Sequence, residues 1–150
     1  MPSVSRSRIV AAAPERVWRV VADPHDQPRW WPLVERMEGV DEAQFTQVMR
    51  TRKGRLVRAD FRVLASEPPG TGADQPGRRV WEQEVAGTPF ERVLGEAVTE
   101  VLVAPSGEGT RVTITQRQQL RGYSRTGGFL LRRATRTKLS EALDALAGLF

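Results

Sequence analysis

The chain contains no cysteine and a single histidine, His25, among its 150 residues. The lack of cysteine excludes disulfides, thiolate nucleophiles and sulfur-ligated metals. A lone histidine cannot form a metal site without further ligands, and His25 is expected at the surface beside a helix start. The sequence also lacks a glycine-rich phosphate loop and a nucleophile elbow. We therefore predict that neither a metal nor another cofactor takes part in its function.

Long apolar segments are missing as well. No apolar run approaches the roughly 20 residues that cross a bilayer as a helix. The N-terminus lacks the charged, apolar and small-residue blocks of a secretion signal. We expect a cytoplasmic location and no integral membrane contact.

Lysine is scarce: Lys53 and Lys138 are the only two, and arginine supplies the other basic side chains behind the net charge of +5. A solvated, arginine-decorated surface is the simpler interpretation. The alternative is a rim that attracts anionic groups, because basic residues recur at or near the predicted turns. These residues are Arg52, Lys53, Arg55, Arg92, Arg121 and Arg125. Nucleic acid is not an expected partner, because acidic residues are interleaved with the basic ones and no binding motif accompanies them.

What is present begins with one strand and two short helices. Residues 3–12 alternate well enough for a strand. Pro14 suits the first turn of a helix because its φ is fixed near the helical value. Pro24 ends this helix, and a second short helix is closed by Pro32.

Six further strands follow from apolar alternation, and turns rich in glycine or proline separate several of them. Connections of this length require antiparallel neighbours, since parallel neighbours need crossovers of a dozen residues or more. The six strands are predicted over residues 33–40, 45–52, 56–66, 79–86, 92–104 and 111–120.

From residue 129 the apolar period changes to 3.6, which predicts one long amphipathic helix that runs to the end of the chain. Its apolar stripe consists of Leu131, Thr135, Leu139, Ala142, Leu143, Leu146 and Phe150. Such a helix must cover the apolar face of the sheet. The predicted fold class is α+β.

The order of elements and four short motifs carry a family resemblance. The motifs are Ala13-Pro14-Glu15-Arg16-Val17-Trp18, the segment from Asp23-Pro24 to Trp30-Trp31-Pro32, the turn Gly87-Thr88-Pro89-Phe90, and Gly109-Thr110-Arg111-Val112. The chain resembles the Bet v 1-like, START-related superfamily (SRPBCC), which includes polyketide cyclase/dehydrase and lipid-transport proteins. The resemblance implies a helix-grip fold over residues 1–150 as a single domain. In that fold a seven-stranded curved antiparallel sheet wraps around the C-terminal helix, with two short helices after strand 1 and a cavity in between.

Small residues predict where this cavity lies. Ala59, Gly95, Ala97 and Thr99 are on strands that should face the last helix, which leaves space there. Pockets for small molecules usually measure about 300–1,000 Å³.

Aromatic and amide side chains share the predicted inward faces. Trp81 and Gln83 have the same parity on one strand, and Gln116 and Gln118 continue the register of apolar neighbours on another. Core packing and ligand contact are equally open for Trp81, and a strand bulge would return the glutamines to solvent. Trp31 is either a structural anchor or part of the cavity opening. The candidate ligand-binding residues are Trp31, Phe61, Trp81, Gln83, Thr99, Gln116, Gln118 and Leu131.

Groups for acid–base chemistry are not predicted inside. The acids of the β region fall on the solvent register, and the inward faces carry neutral groups. These acids are Asp60, Glu82, Glu84, Glu96 and Glu100. The expected partner is a hydrophobic small molecule, apolar or aromatic and lipid- or polyketide-like, which binds in the central cavity. A homodimer is left open. A cofactor-independent polyketide cyclase or aromatase is the alternative, and an inward-facing ionisable group would favour it.

Overall fold

A computed structural model describes residues 3–70, 75–92, 94–122 and 125–150, with the side chains of all but residues 125 and 126. The predicted strand position of Val93 lies outside these ranges. The strands are β1 (Ser3–Val10), β2 (Val34–Glu38), β3 (Gln44–Arg50), β4 (Leu56–Glu67), β5 (Gly77–Gln83), β6 (Leu94–Ser106) and β7 (Gly109–Leu120). The α-helices are α1 (Pro14–Val21), α2 (Gln27–Trp30) and α3 (Arg125–Ala147), and short 3-10 helices span Pro24–Asp26 and Pro89–Arg92.

The seven strands form one antiparallel sheet in the order β1-β7-β6-β5-β4-β3-β2. Each strand from β2 to β7 pairs with its neighbour in sequence, as short connections require, and β1 closes the order against β7. The predicted helix-grip fold is confirmed. The boundaries differ at both ends of the β region: β2 is shorter than predicted, and α3 begins at residue 125 rather than 129.

The two short helices are defined by local signals. Pro14 occupies the first turn of α1. At the start of the 3-10 helix that leads into α2, the side chain of Asp23 accepts a hydrogen bond from the backbone N–H of His25 at 3.0 Å. A carboxylate in this position satisfies a free donor at a helix start. Both helices bring apolar side chains onto the sheet, where Val17 and Trp30 are buried.

Part of the buried core lies between the C-terminal half of α3 and the strands β1, β6 and β7. Leu139, Leu143 and Leu146 are buried there with Val101 and Ile114. The N-terminal half of α3 is less buried, and Leu130 is exposed. The sheet and helix therefore pack closely at one end only, which leaves space at the other end.

A bulge in β6 contradicts the predicted inward position of Gly95. Leu94 pairs with Leu120 and Glu96 pairs with Gln119, so Gly95 is an extra residue in the strand. A Cβ on Gly95 would lie 3.2 Å from the Nε of Arg121, on the outer face. One extra residue inverts the alternation on one side of the bulge. Leu94 therefore faces inward instead.

Candidate functional site

A cavity of about 240 Å³ lies where the sheet and α3 separate. Its walls come from strands β3 to β7, the segment after α2, Phe90 of the second 3-10 helix, and Lys138 of α3. The volume is smaller than the predicted range, because large side chains such as Trp81 occupy part of the space.

Most of the predicted ligand-binding residues line this cavity. They are Trp31, Phe61, Trp81, Gln83, Thr99, Gln116 and Gln118. Leu131 is not among the lining residues. It is partly buried one helical turn before Thr135, whose hydroxyl donates to the Leu131 carbonyl oxygen at 2.9 Å. The helical stripe placed Leu131 on the inward side, but among the described side chains of α3 it is Lys138, further along the helix, that lines the cavity.

Aromatic rings form the most rigid part of the wall. The ring centroids of Trp31 and Trp81 are 5.7 Å apart, and those of Phe45 and Trp81 are 6.0 Å apart, both edge to face. Phe45 stacks on Phe61 at 5.3 Å. Trp81 is only 1% exposed. The two interpretations of Trp81 are therefore compatible: one side of its ring packs in the core and another part faces the cavity.

Gln116 presents an unsatisfied polar atom to the cavity. The side chain is 8% exposed, so the predicted inward register of β7 is confirmed. Its Nε2 donates a hydrogen bond to the hydroxyl of Thr99 at 3.0 Å, while its Oε1 is buried without a partner. Either orientation of the amide leaves one polar atom free. A buried amide atom without a partner favours a ligand that supplies a hydrogen bond there.

A second glutamine, Gln47, was missed by the sequence analysis. It is 2% exposed and lines the cavity, and its Nε2 donates to the Oε1 of the buried Gln27 at 2.7 Å. The signal was present in the sequence, since Gln47 has the parity of Phe45 and Met49 on the same strand. This pair holds the segment before Trp31 against β3.

Lys138 corrects the prediction that only neutral groups face inward. Its ammonium lies 5.9 Å from the ring centroid of Trp31, and the side chain lines the cavity while remaining partly exposed. Burial lowers the pKa of Lys138 to about 8. The position lies three residues after Thr135 and four before Ala142, so helical spacing placed it on the flank of the apolar stripe.

A second, wider pocket lies beside the cavity. Pro32, Leu33 and Lys138 line both spaces, and these three residues are called the neck. This outer space, the vestibule, measures about 450 Å³. Leu33 adopts a φ of 65°, which is uncommon for a residue other than glycine. The cavity and this outer space are therefore neighbours, and Lys138 lies between them.

The predicted basic rim is only partly present around the vestibule. Arg52 lines it, and so does Arg133 of α3, which is not one of the predicted rim residues. Lys53, Arg55, Arg92 and Arg121 are exposed elsewhere, and the side chain of Arg125 lies outside the described part.

The acids of the β region lie on the outer face, as predicted. Arg62 pairs with Glu82 at 3.2 Å, and Arg78 pairs with Glu100 at 2.8 Å. Across the described ranges, no three acidic or histidine side chains come together as a metal site would require. In the same ranges, no helix has the length and apolar character needed to traverse a membrane.

Comparisons with solved structures support the fold. The di-domain ARO/CYC BexL from the BE-7585A biosynthetic pathway matches with a TM-score of 0.75 and 21% identity, over 99% of this chain and 46% of BexL. A START superfamily protein from Mycobacterium smegmatis matches with a TM-score of 0.74 and 14% identity, over 97% of this chain and 94% of that one. TTHA0849 from Thermus thermophilus matches with a TM-score of 0.69 and 22% identity, over 98% and 95%. This chain thus spans about half the length of BexL.

Comparison of the sequence itself gives a match to a protein family. No curated protein matches the chain. The model of one family, described as polyketide cyclase / dehydrase and lipid transport, matches residues 1–150. Because this match covers the whole sequence and the fold agrees with it, the chain belongs to the polyketide cyclase/dehydrase and lipid transport family.

Proposed function

We propose that this protein binds a small aromatic or apolar molecule in the cavity between its sheet and α3. The observation that carries the proposal is the free amide atom of Gln116 within walls of aromatic rings. An apolar body would pack against Trp31 and Trp81, and a hydroxyl or carbonyl group of the ligand would pair with Gln116. An engineered cavity of about 150 Å³ binds benzene. A cavity of about 240 Å³ therefore suits a substituted ring or two fused rings.

Residues 1–150 form a single ligand-binding domain in this proposal. Its support is the one antiparallel sheet and the core cluster shared by β1, β6, β7 and α3. The cytoplasmic location and the lack of nucleic-acid contact remain predictions from the sequence. The sequence leaves open whether the protein forms a homodimer.

Filling the cavity should weaken the binding of a neutral aromatic probe. In Ala97→Phe the new ring would occupy the space beside Thr99, so 2-naphthamide should bind at least about tenfold more weakly than to the wild type. Isothermal titration calorimetry measures both affinities. Ala104→Phe is the matched control, because Ala104 lies on the same strand opposite the exposed Arg111 and away from the cavity.

Ala97→Met serves as a less demanding variant if the phenylalanine prevents folding. The proposal is wrong if the wild type binds neither 2-naphthamide nor the corresponding acid, 2-naphthoic acid, or if a folded variant with a filled cavity binds the probe as well as the wild type does.

A cofactor-independent cyclase is the second candidate, and Lys138 is the observation that favours it. Within the described residues, Lys138 is the ionisable group that lines the cavity. With a pKa of about 8, part of the population carries a neutral amine near neutral pH, which suits a general base. The amine would remove a proton beside one ketone of a bound diketone. The resulting carbon nucleophile would add to the second ketone, the alkoxide would regain the proton, and water would leave.

Cyclisation of 2,6-heptanedione to 3-methylcyclohex-2-enone tests this second candidate, because the enone is followed by its ultraviolet absorbance. If the protein is a cyclase, the wild type at pH 8 should be at least about tenfold faster than Lys138→Met. Equal rates for the two proteins would reject the enzyme and leave the binding function standing.

A further inference from the structure

The ammonium of Lys138 is a cation at the neck without a counter-ion. Among the described residues no carboxylate lies within ion-pair distance of its Nζ, and its recorded partner is the face of Trp31. Several arginines are instead paired on the outer face of the sheet, for example Arg62 and Arg78 with glutamates. Lys138 differs from them because it faces a cavity.

The charged groups around Lys138 favour an anion at its Nζ. On the cavity side, the described lining residues of β3 to β7 are neutral, and those of the segment after α2 are neutral too. On the vestibule side, Arg52 of the β3–β4 turn and Arg133 and Glu141 of α3 share the lining. Glu141 forms no ion pair with Lys138 despite the i,i+3 spacing. The vestibule and neck together therefore carry a net positive charge.

An acidic ligand would compensate a cost that the free protein carries. A buried charge is destabilising unless it is paired and hydrogen-bonded. A carboxylate at the neck would accept a charge-assisted hydrogen bond from Nζ, a stronger interaction than one between neutral groups. The apolar part of the same molecule would reach the aromatic wall, since Trp31 contacts both Trp81 and the Lys138 ammonium.

We propose that the ligand of this cavity is an aromatic acid, with its ring against Trp31 and Trp81 and its carboxylate on the Nζ of Lys138. This inference rests on the proposed binding function and adds the chemical class of the ligand. It also assigns Lys138 as the residue that selects the acid over its neutral analogues.

The test compares two probes of nearly equal shape, 2-naphthoic acid and its neutral amide 2-naphthamide, by isothermal titration calorimetry at pH 7. The wild type should bind the acid about tenfold or more tightly than the amide, as expected for a charge-assisted hydrogen bond. In Lys138→Met the ratio of the two affinities should fall to about one. Lys53→Met is the matched control, because it removes the other lysine of the chain from an exposed turn. It should retain the preference.

The pH dependence separates a contact with Lys138 from a general effect of positive charge. The carboxylate of the probe stays ionised from pH 7 to pH 10, whereas the Lys138 amine loses its proton over this interval. The preference of the wild type for the acid should therefore disappear by pH 10. In Lys138→Arg the preference should persist at pH 10, because a guanidinium remains protonated there.

The possible outcomes distinguish the proposed binding function from the inference that the ligand is an aromatic acid. If 2-naphthamide binds but the acid is not preferred, or if Lys138→Met keeps the preference, the inference is wrong and the binding function stands. If neither probe binds, the proposed binding function is wrong and the inference falls with it.

Discussion

Replacing Trp81 with alanine is expected to lower the free energy of unfolding by about 3–5 kcal/mol. Trp81 is 1% exposed and contacts Trp31 and Phe45 edge to face, so its removal would open a large void and break both ring contacts. Urea unfolding followed by far-ultraviolet circular dichroism measures the change. The loss would be a large fraction of the stability of a typical domain.

Trp18→Ala is the matched control for this substitution. Trp18 is only partly buried and packs over Gly77. The decrease in the free energy of unfolding should therefore be at least about 1 kcal/mol smaller in Trp18→Ala than in Trp81→Ala. Trp81→Phe, which keeps a ring in place, provides a folded comparison if the alanine variant does not fold. Equal losses at Trp81 and Trp18 would contradict the central place of Trp81 in the core.

Unlike the loss of Trp81, replacement of Lys138 with methionine is expected to stabilise the free protein at pH 7. The pKa of Lys138 falls from 10.5 in an unfolded chain to about 8 in the folded one, so the folded state disfavours the charged form. The corresponding penalty is at most about 3 kcal/mol, and it is smaller because the side chain is partly exposed. Lys138→Met removes this penalty and keeps an apolar stem beside Trp31.

The sign of the pH dependence follows from proton binding. Between pH 8 and pH 10.5 the unfolded chain holds the Lys138 proton more strongly than the folded protein does, so the wild type gains stability as the pH rises. The advantage of Lys138→Met should therefore be largest at pH 7 and vanish near pH 10.5. Urea unfolding at several pH values measures the difference, and Lys53→Met should show no such trend. An advantage that does not change with pH would contradict a charge penalty at Lys138.

These two predictions concern different parts of the same site. The aromatic wall around Trp81 stabilises the fold and shapes the cavity at the same time. Lys138 is expected to destabilise the free protein, and its position is understandable if a ligand supplies the missing negative charge. A stability gain in Lys138→Met together with a loss of acid preference would be the combined signature of a functional residue.

The order of elements follows from local features of the sequence. Pro14 and Pro32 mark helix boundaries, and alternation with short turns leads to antiparallel pairing whatever the rest of the chain does. The inward faces of β5 and β7 were also predictable. The alternation of each strand continues without a bulge from its apolar residues to Trp81 on β5 and to Gln116 and Gln118 on β7. Alternation failed at Gly95, because the bulge there inverts the face of the strand.

The sequence by itself determined the α+β class, the antiparallel neighbours, most of the aromatic and amide wall and the acids of the outer face, because each depends on spacing along one element. The helix-grip arrangement was implied by the family resemblance. Only the tertiary structure decided which side chains meet across elements. It paired Gln47 of β3 with Gln27 of α2, turned Lys138 of α3 toward Trp31, and limited the cavity to about 240 Å³. The physical reason is that these contacts depend on how α2 and α3 are seated on the sheet, which packing between elements distant in sequence sets and no local pattern records.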